Sequence, residues 1–234
     1  MNLNPDLDAR SSARPTKTGA HASDPSASGQ EGRRVVLASG NPGKLAEFSA
    51  ILCAAGLHIV PQSSLGVEET AEPYGTFLEN ALAKARHASR QTSLPALADD
   101  SGLCVPALGG APGVHSARYA ALHGGLRGDA ANNDRLLADM RGRPDRRAFY
   151  VAVLVYLRRA DDPLPLVAQG LWPGLLLEAP RGSHGFGYDP LFHLPDLGKT
   201  AAELPAALKN QHSHRAQALA GLLQQLRAES EFYS

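Results

Sequence analysis

Cysteines and long apolar runs are both scarce in this chain. Its 234 residues include two cysteines, Cys53 and Cys104, which lie far apart and belong to no C-x-x-C pair. A disulfide framework and a zinc site are therefore not expected, and a reducing cytosol is the expected compartment. No apolar run approaches the roughly 20 residues that a helix needs to span a bilayer, so we expect no membrane insertion.

An excess of basic charge is also absent. Lys+Arg and Asp+Glu each number 23, and aromatic residues make up 6% of the chain. Proteins that bind nucleic acid or anionic membranes through their surface present a basic face, often with aromatic side chains among the bases. The balance argues against such partners and against the alternative of a noncatalytic nucleotide- or RNA-binding module. The 43% hydrophobic content suffices for one sizeable domain.

Residues 1–33 differ in composition from the rest of the chain. They are rich in Ser, Pro, Ala, Asp and Arg and nearly free of large apolar side chains. Such a segment buries too little surface to offset the entropy of ordering it, and it lacks the apolar stretch of a signal peptide. We expect a disordered tail over 1–33 and one folded domain over 34–229.

Strand-like and helix-like patterns alternate through the expected domain. The apolar run Val35–Ala38 predicts a buried strand, and apolar residues recur at helical spacing over 45–52. Thr76 predicts the cap of a helix reaching about residue 90, and 94–98 predicts a strand that ends at Asp99. Residues 149–157 and 167–177 are β-rich, the second interrupted by Trp-Pro-Gly, and Ser213 predicts the cap of a last helix. The expected fold is α/β with a mixed central sheet.

A turn of the kind that binds phosphate follows the first predicted strand. Residues 39–44, SGNPGK, lie between that strand and a helix N-terminus, where free backbone N–H groups and the helix dipole attract an anion. The turn is not a Walker A loop, because that pattern places Ser or Thr after the lysine to hold Mg²⁺, whereas Leu45 follows Lys44. The alternative is an ordinary corner with a solvated lysine.

Carboxylates cluster in two further places. Asp99 and Asp100 come where the predicted strand ends, at the edge where α/β sheets bind ligands, and adjacent carboxylates repel unless a cation lies beside them. The alternative is a turn built by Asp-Ser-Gly. Upstream, Glu68, Glu69 and Glu72 precede the capped helix, and Mg²⁺ favours one or two such carboxylates together with phosphate oxygens.

Lys84 lies on the capped helix, on one face with Asn80 and His87. From that face it is either a ligand of phosphate or part of a solvated polar surface.

Aromatic and basic residues near the C-terminus form the last candidate group. Phe186 lies between two glycines, which suits a ring held against a flat ligand, and Asp189 offers acceptors for a base or sugar. The alternative for this segment is a Gly-rich turn before a strand. Lys209 precedes His214 and Arg215, which lie on the first turn of the last predicted helix. The helix dipole disfavours cations there, so their presence indicates a ligand acceptor; the alternative is exposed bases at a tolerant helix end.

Together these motifs resemble the inosine triphosphate pyrophosphatase family, the bacterial dITP/XTP pyrophosphatases. The resemblance extends from Val35 to about Arg227 and rests on LASGNPGK, TFLENALAKARHA, LPALADDSGLCVPALGGAPGVHSARYA, GFGYDPLF, and GKTAAEL followed by a lysine and SHRAQAL. It implies a two-lobed α/β fold with a mixed twisted central sheet, a substrate cleft between the lobes, and a homodimer. It also implies Mg²⁺-dependent hydrolysis of noncanonical purine nucleoside triphosphates (ITP, dITP, XTP) to the monophosphate and pyrophosphate.

The resemblance assigns roles to individual residues. Asp100 would be the general base and would hold the metal together with Glu72. Substrate-binding roles fall to Ser39, Gly40, Asn41, Pro42, Gly43, Lys44, Lys84, Ser101, Phe186, Gly187, Tyr188, Asp189, Lys209, His214 and Arg215. Glu72 is chosen by its spacing from Thr76; because Pro73-Tyr74-Gly75 replaces the family's usual residues there, Glu68 and Glu69 stay as alternatives.

Base selectivity would follow from position 6 of the purine. Hypoxanthine and xanthine carry a carbonyl acceptor there, and adenine carries an amino donor. A site with donors such as Arg215 leaves adenine with an unpaired buried group, which costs about 1–3 kcal/mol per mismatch. A related pyrophosphatase acting on pyrimidine or modified nucleotides is the remaining alternative, and a substrate panel separates the two.

Overall fold

The computed structural model describes residues 33–53 and 56–232, and every structural statement below refers to them. The expected tail lies outside these residues except for Arg33, which begins the first strand. In chain order the strands and helices are β1 Arg33–Ala38, α1 Pro42–Cys53, β2 Leu57–Pro61, α2 Phe77–Thr92, β3 Ala96–Cys104, α3 Tyr119–Leu122, α4 Asp129–Asp139, β4 Arg147–Leu157, β5 Leu166–Leu176, β6 Phe192–Leu194, β7 Lys199–Thr200, α5 Ala206–His212 and α6 His214–Phe232. None of these helices is both long enough and apolar enough to cross a membrane.

The described strands form one sheet in the order β2-β1-β3-β4-β5-β6-β7. β1 pairs in parallel with β2 and β3, whereas every pairing from β3 to β7 is antiparallel. The predicted α/β class with a mixed central sheet is confirmed. The division into two lobes stays a prediction.

Both faces of the sheet are covered by helices, which explains the continuous apolar run in β1. Val35 and Leu37 pack on one face in a cluster that includes side chains of α1 and α6. Val36 and Ala38 pack on the other face against the alanines of α2. Alternate residues of a strand point to opposite faces, so a strand buried on both sides needs apolar residues at every position.

The predicted helix cap at Thr76 is present. Its hydroxyl accepts the Glu79 N–H at 3.2 Å and donates to the Glu79 carboxylate at 2.6 Å. This fixes the start of α2, whose buried alanines allow the helix to approach the sheet closely.

Two predicted strand boundaries are wrong. The strand expected to stop at Asp99 continues to Cys104, with every residue of β3 paired to β4. The long apolar β4 offers a ladder partner along this whole length, and these tertiary hydrogen bonds outweigh the turn preference of Asp-Ser-Gly. β5 likewise runs through Pro173 without a break. Its outer edge pairs with β6 only at Leu175 and Leu176, so Pro173 lies where this edge is unpaired, and proline is tolerated at such an edge.

Candidate active site

One pocket of about 750 Å³ collects side chains from nearly all of the predicted motifs. The predicted site residues that line it are Ser39, Gly40, Asn41, Lys44, Glu72, Lys84, Ser101, Phe186, Gly187, Tyr188, Asp189, Lys209, His214 and Arg215. Gly43 lines a neighbouring pocket beside Phe186, and Pro42 begins α1. Asp100 lies behind the wall and contacts the lining residue Lys84.

The alternation of β3 sends the two adjacent aspartates to opposite faces of the sheet. Asp99 lies on the face of Leu97, towards α1 and α6, and Asp100 lies on the face of Ala98, towards α2. The two carboxylates are thus kept apart, and the cation that the sequence led us to expect beside them is present twice, as a lysine for each.

Asp99 is the buried counter-ion of two cations. It is 1% exposed, and one of its oxygens lies 2.7 Å from the Lys44 ammonium and 3.3 Å from the Arg215 guanidinium. Ser101 donates its hydroxyl to the same oxygen at 3.0 Å. Burial alone would raise the pKa of Asp99, but Lys44 and Arg215 outweigh it and hold this pKa far below its usual range. Asp99 is therefore ionised, and burial lowers the pKa of Lys44 despite this partner.

Asp100 has a different environment. Its Oδ1 lies 3.0 Å from the Lys84 ammonium, which also contacts Glu72 at 2.8 Å. Burial raises the pKa of Asp100, with Lys84 opposing the shift and Glu72 adding to it. Its Oδ2 is buried and has no hydrogen-bond partner in the described part of the chain. A carboxylate with a raised pKa and a free oxygen suits general-base catalysis.

Lys84 carries its charge firmly. Burial lowers its pKa, but the carboxylates of Asp100 and Glu72 outweigh burial and raise the pKa above the usual value. Glu72 is fixed from the other side by Arg118, whose guanidinium donates to the Glu72 carboxylate at 3.0 Å and to its carbonyl at 3.1 Å.

The phosphate-type loop is held open by local hydrogen bonds. Asn41 caps α1, because its side chain accepts the Lys44 N–H at 3.1 Å, and Ser39 accepts the Asn41 N–H at 3.2 Å within the loop. The Gly40 N–H donates to the carboxylate of Glu69 at 2.8 Å. A β-carbon at position 40 would lie 2.3 Å from that carboxylate oxygen, so a larger residue there would displace the exposed Glu69 side chain from this contact. An anionic side chain thus already contacts the loop that was expected to bind phosphate.

The turn that contains Phe186 is anchored by Asp189. This carboxylate is 2% exposed and accepts from the Phe186 N–H at 3.0 Å, the Tyr150 hydroxyl at 3.2 Å and the Lys209 ammonium at 2.6 Å. Its oxygens are therefore engaged within the protein. A β-carbon at Gly185 would lie 2.0 Å from the Asp189 carboxylate, which explains this glycine.

His214 is a neutral stacked ring. It lies parallel to Tyr150 with ring centroids 4.8 Å apart, and Trp172 stacks 6.3 Å away. Burial, reinforced by the Arg215 charge, lowers the pKa of His214 well below its usual value. Its Nδ1 is buried without a hydrogen-bond partner among the described residues.

Arg215 needs no ligand to explain its position on the first turn of α6. Its guanidinium contacts Glu47 at 3.0 Å and Asp99 at 3.3 Å and donates to the Ser101 hydroxyl at 2.8 Å. These contacts offset the unfavourable helix dipole, so the sequence argument from the dipole does not hold. The cations of Arg215 and Lys209 lie 5.3 and 4.8 Å from the centroid of the Phe186 ring.

Comparison with known proteins decides the family. A sequence model of the Ham1 family matches residues 35–225. The chain belongs to the Ham1 family. It is 65% identical over 195 residues to a protein of Ralstonia nicotianae named dITP/XTP pyrophosphatase, covering 83% of this chain and 97% of the relative. A Bordetella parapertussis protein of the same name is 65% identical over 196 residues, 84% of this chain and 92% of the relative.

Solved structures of Ham1 proteins share the fold. A Coxiella burnetii HAM1 protein superposes with a TM-score of 0.77 at 44% identity, covering 84% of this chain and 99% of that one. The Staphylococcus aureus Ham1 protein gives 0.74 at 37% identity, covering 84% and 100%.

Metal-ligand candidates in this Ham1 chain are few. The described residues contain no group of three or more His, Cys, Asp and Glu side chains arranged to hold a metal ion. Glu72 and Asp100 nevertheless converge on one cation, the Lys84 ammonium, and the second oxygen of Asp100 lacks a partner within residues 33–53 and 56–232. Two carboxylates with substrate phosphates form an ordinary Mg²⁺ site, so these residues fit that ion.

Sequence reasoning missed several residues of the Ham1 site. Glu47 pairs with both Lys209 and Arg215, Arg118 fixes Glu72, and Tyr150 supports Asp189. Glu47 lies one helical turn after Lys44, but this spacing does not indicate its partners, which are on the last two helices. No local pattern marks Arg118 or Tyr150, because their partners lie far away along the chain.

Proposed function

We propose that this protein hydrolyses noncanonical purine nucleoside triphosphates (ITP, dITP and XTP) to the monophosphate and pyrophosphate, and so removes them from the nucleotide pool. One observation carries the proposal: the phosphate-type loop and an aromatic, basic cluster line one pocket, and Asp100, a carboxylate with a raised pKa, contacts the lining residue Lys84. The names of the 65%-identical relatives support the same substrate class.

The phosphate end of the substrate would lie against the loop 39–44. Lys44 and Lys84 line the pocket there and supply positive charge from two elements. The Gly40 N–H, now bonded to the Glu69 carboxylate, would donate to a phosphate oxygen. Binding there requires the Glu69 carboxylate to leave the Gly40 N–H.

Asp100 is the proposed base. Because the products are a monophosphate and pyrophosphate, a water oxygen bonds to the α-phosphorus, and the bond from that phosphorus to the oxygen bridging the β-phosphate breaks. Asp100 orients this water and takes its proton, and pyrophosphate leaves with the bridging oxygen. Glu72 and Asp100 would hold Mg²⁺, which when bound neutralises phosphate charge and polarises the phosphorus.

The purine would lie against Phe186. Arg215 and Lys209 sit near this ring, and the neutral His214 has a free ring nitrogen among the described residues. The two cations, and His214 in the tautomer that carries hydrogen on Nδ1, would donate to a 6-oxo group and would not pair with the 6-amino group of adenine. Gly187 and Tyr188 shape the same turn, and Ser101 places its hydroxyl on Arg215.

We also propose a homodimer in the cytoplasm that binds neither nucleic acid nor membrane. One face of β5 exposes Val167, Leu171 and Leu175, while the alternate residues are buried. An exposed apolar row on a strand suits a second copy of the chain. The balanced charge argues against a polyanionic partner, and two free thiols are ordinary in a reducing compartment.

The decisive experiment is pyrophosphate release from ITP, XTP, GTP and ATP, with and without Mg²⁺, by the wild type and Asp100→Asn. We expect rapid release from ITP and XTP that requires both Mg²⁺ and Asp100. Equal turnover of all four nucleotides, or a folded Asp100→Asn protein with normal turnover, would contradict the proposal.

A further inference from the structure

The cations of the pocket are almost all neutralised by the protein itself. Six cationic side chains line it: Lys44, Lys84, Arg118, Arg127, Lys209 and Arg215. Five of them form ion pairs with carboxylates at 2.6 to 3.4 Å. Arg127 alone has no partner for its side chain in the part of the chain that the structure describes.

The neutralised cations leave a charge problem for the proposed substrate. A nucleoside triphosphate carries about four negative charges near neutral pH. The ion-paired cations give it little net attraction, because their carboxylates repel it from almost the same positions. An unpaired guanidinium is the strongest anion ligand that such a pocket can offer, since it forms bidentate bonds with phosphate.

The position of Arg127 is set by contacts between α4 and the turn that contains Phe186. Asp129 accepts the Gly187 N–H at 2.6 Å, and Asn133 donates to the Gly187 carbonyl at 2.8 Å. These bonds hold the start of α4 at the pocket. Gly128, with a φ of 119°, makes the bend between Arg127 and the helix, a conformation that other residues rarely adopt.

We propose that Arg127 binds the polyphosphate of the substrate, contacting phosphates beyond the one that remains in the monophosphate product. The inference rests on the proposed function and deepens it. Arg127 is itself exposed, so its side chain is free to turn towards a ligand. Arg127 thereby supplies the uncompensated charge that the phosphate loop, already contacted by Glu69, lacks.

The test compares Arg127→Ala and Arg127→Lys with Arg141→Ala as a matched control. Arg141 is exposed, lies just beyond the other end of α4, is outside the pocket lining, and has no side-chain partner among the described residues. Steady-state hydrolysis of ITP is measured with Mg²⁺, together with inhibition by inorganic pyrophosphate and by inosine monophosphate.

We expect Arg127→Ala to raise the KM for ITP about 10-fold, the value of one hydrogen bond to a charged group, with kcat within about 2-fold. The inhibition constant of pyrophosphate should rise in parallel, that of inosine monophosphate should not change, and Arg127→Lys should recover most of the affinity. Arg141→Ala should match the wild type.

Two results would overturn this inference alone, given a wild type that hydrolyses ITP. In the first, Arg127→Ala has the same kinetics as Arg141→Ala. In the second, Arg127→Ala weakens inhibition by pyrophosphate and by inosine monophosphate equally. The second would move the contact to the shared nucleoside part. A wild type that releases no pyrophosphate from ITP would overturn the proposed function and this inference together.

Discussion

Replacing Asp99 and Asp100 one at a time by asparagine should separate stability from catalysis at neighbouring positions. Asp99 is 1% exposed and pairs with Arg215, which is buried, and with Lys44, whose side chain is 15% exposed. Removing one partner of a buried ion pair leaves an uncompensated charge and costs about 3–5 kcal/mol. Here Arg215 would keep Glu47, whereas Lys44 would lose its carboxylate partner. Burial already lowers the pKa of Lys44, so deprotonation of this lysine would offset part of the cost.

The cost at Asp100 should be much smaller. Lys84 keeps Glu72 at 2.8 Å, and an asparagine oxygen still accepts from it. Burial raises the pKa of Asp100, so its charge is already disfavoured in the fold. We expect Asp100→Asn to change the free energy of unfolding by less than about 1 kcal/mol while abolishing turnover.

Thermal and urea unfolding measure the difference. At about 2–4 °C per kcal/mol for a domain of this size, Asp99→Asn should lower Tm by roughly 6–20 °C at pH 7 and Asp100→Asn by less than about 4 °C. The folded-state pKa of Asp99 is depressed, so its stabilisation exists above the unfolded value of about 3.9 and is lost as pH falls towards the folded value. The gap between wild type and Asp99→Asn should therefore narrow below about pH 4. Equal losses for both variants, or a gap that widens in acid, would refute the reasoning.

Three further changes probe the substrate, the loop and the dimer. Arg215→Ala should lower kcat/KM for ITP by roughly 10–100-fold and leave ATP nearly unchanged; parallel losses would make it a phosphate ligand. Glu69→Gln weakens the acceptor on the Gly40 N–H and should lower the KM for ITP about 3-fold by removing a competing charge; an unchanged or higher KM would show that Glu69 does not compete with substrate. Leu171→Glu puts a charge on the exposed row of β5 and should convert a dimer to a monomer in light scattering; an unaltered dimer would place the interface elsewhere.

Features determined by local periodicity could be predicted from the sequence. The strand over Val35–Ala38 and the helix that follows Thr76 are recognisable because burial on two faces, or capping, leaves a mark within a few residues. The end of β3 could not be predicted that way. Its continuation past Asp99 depends on β4, some fifty residues away, which supplies a partner for every residue of the strand.

The side chains around the pocket were predictable as a set, whereas their pairing was not. Residues such as Lys209 and Asp189 belong to recognisable motifs, but the 2.6 Å contact between them arises only when the last helices pack against the turn at Phe186. The same holds for Arg215, whose isolated position on a helix start suggested a missing ligand, whereas Glu47 and Asp99 already satisfy it.

The extension of β3 explains how one dipeptide serves two purposes. Had the strand ended at Asp99, both carboxylates would lie in a turn and repel each other at one spot. Within the ladder, the side-chain period of two assigns Asp99 to the cations of α1 and α6 and Asp100 to Lys84 of α2. A slip of one residue in the pairing with β4 would exchange these environments, burying Asp100 among the structural cations and leaving Asp99 beside Glu72. The long apolar β4 therefore supports the proposed chemistry, because it fixes the register that decides which aspartate is held ionised by Lys44 and Arg215 and which lies beside Lys84 with a raised pKa.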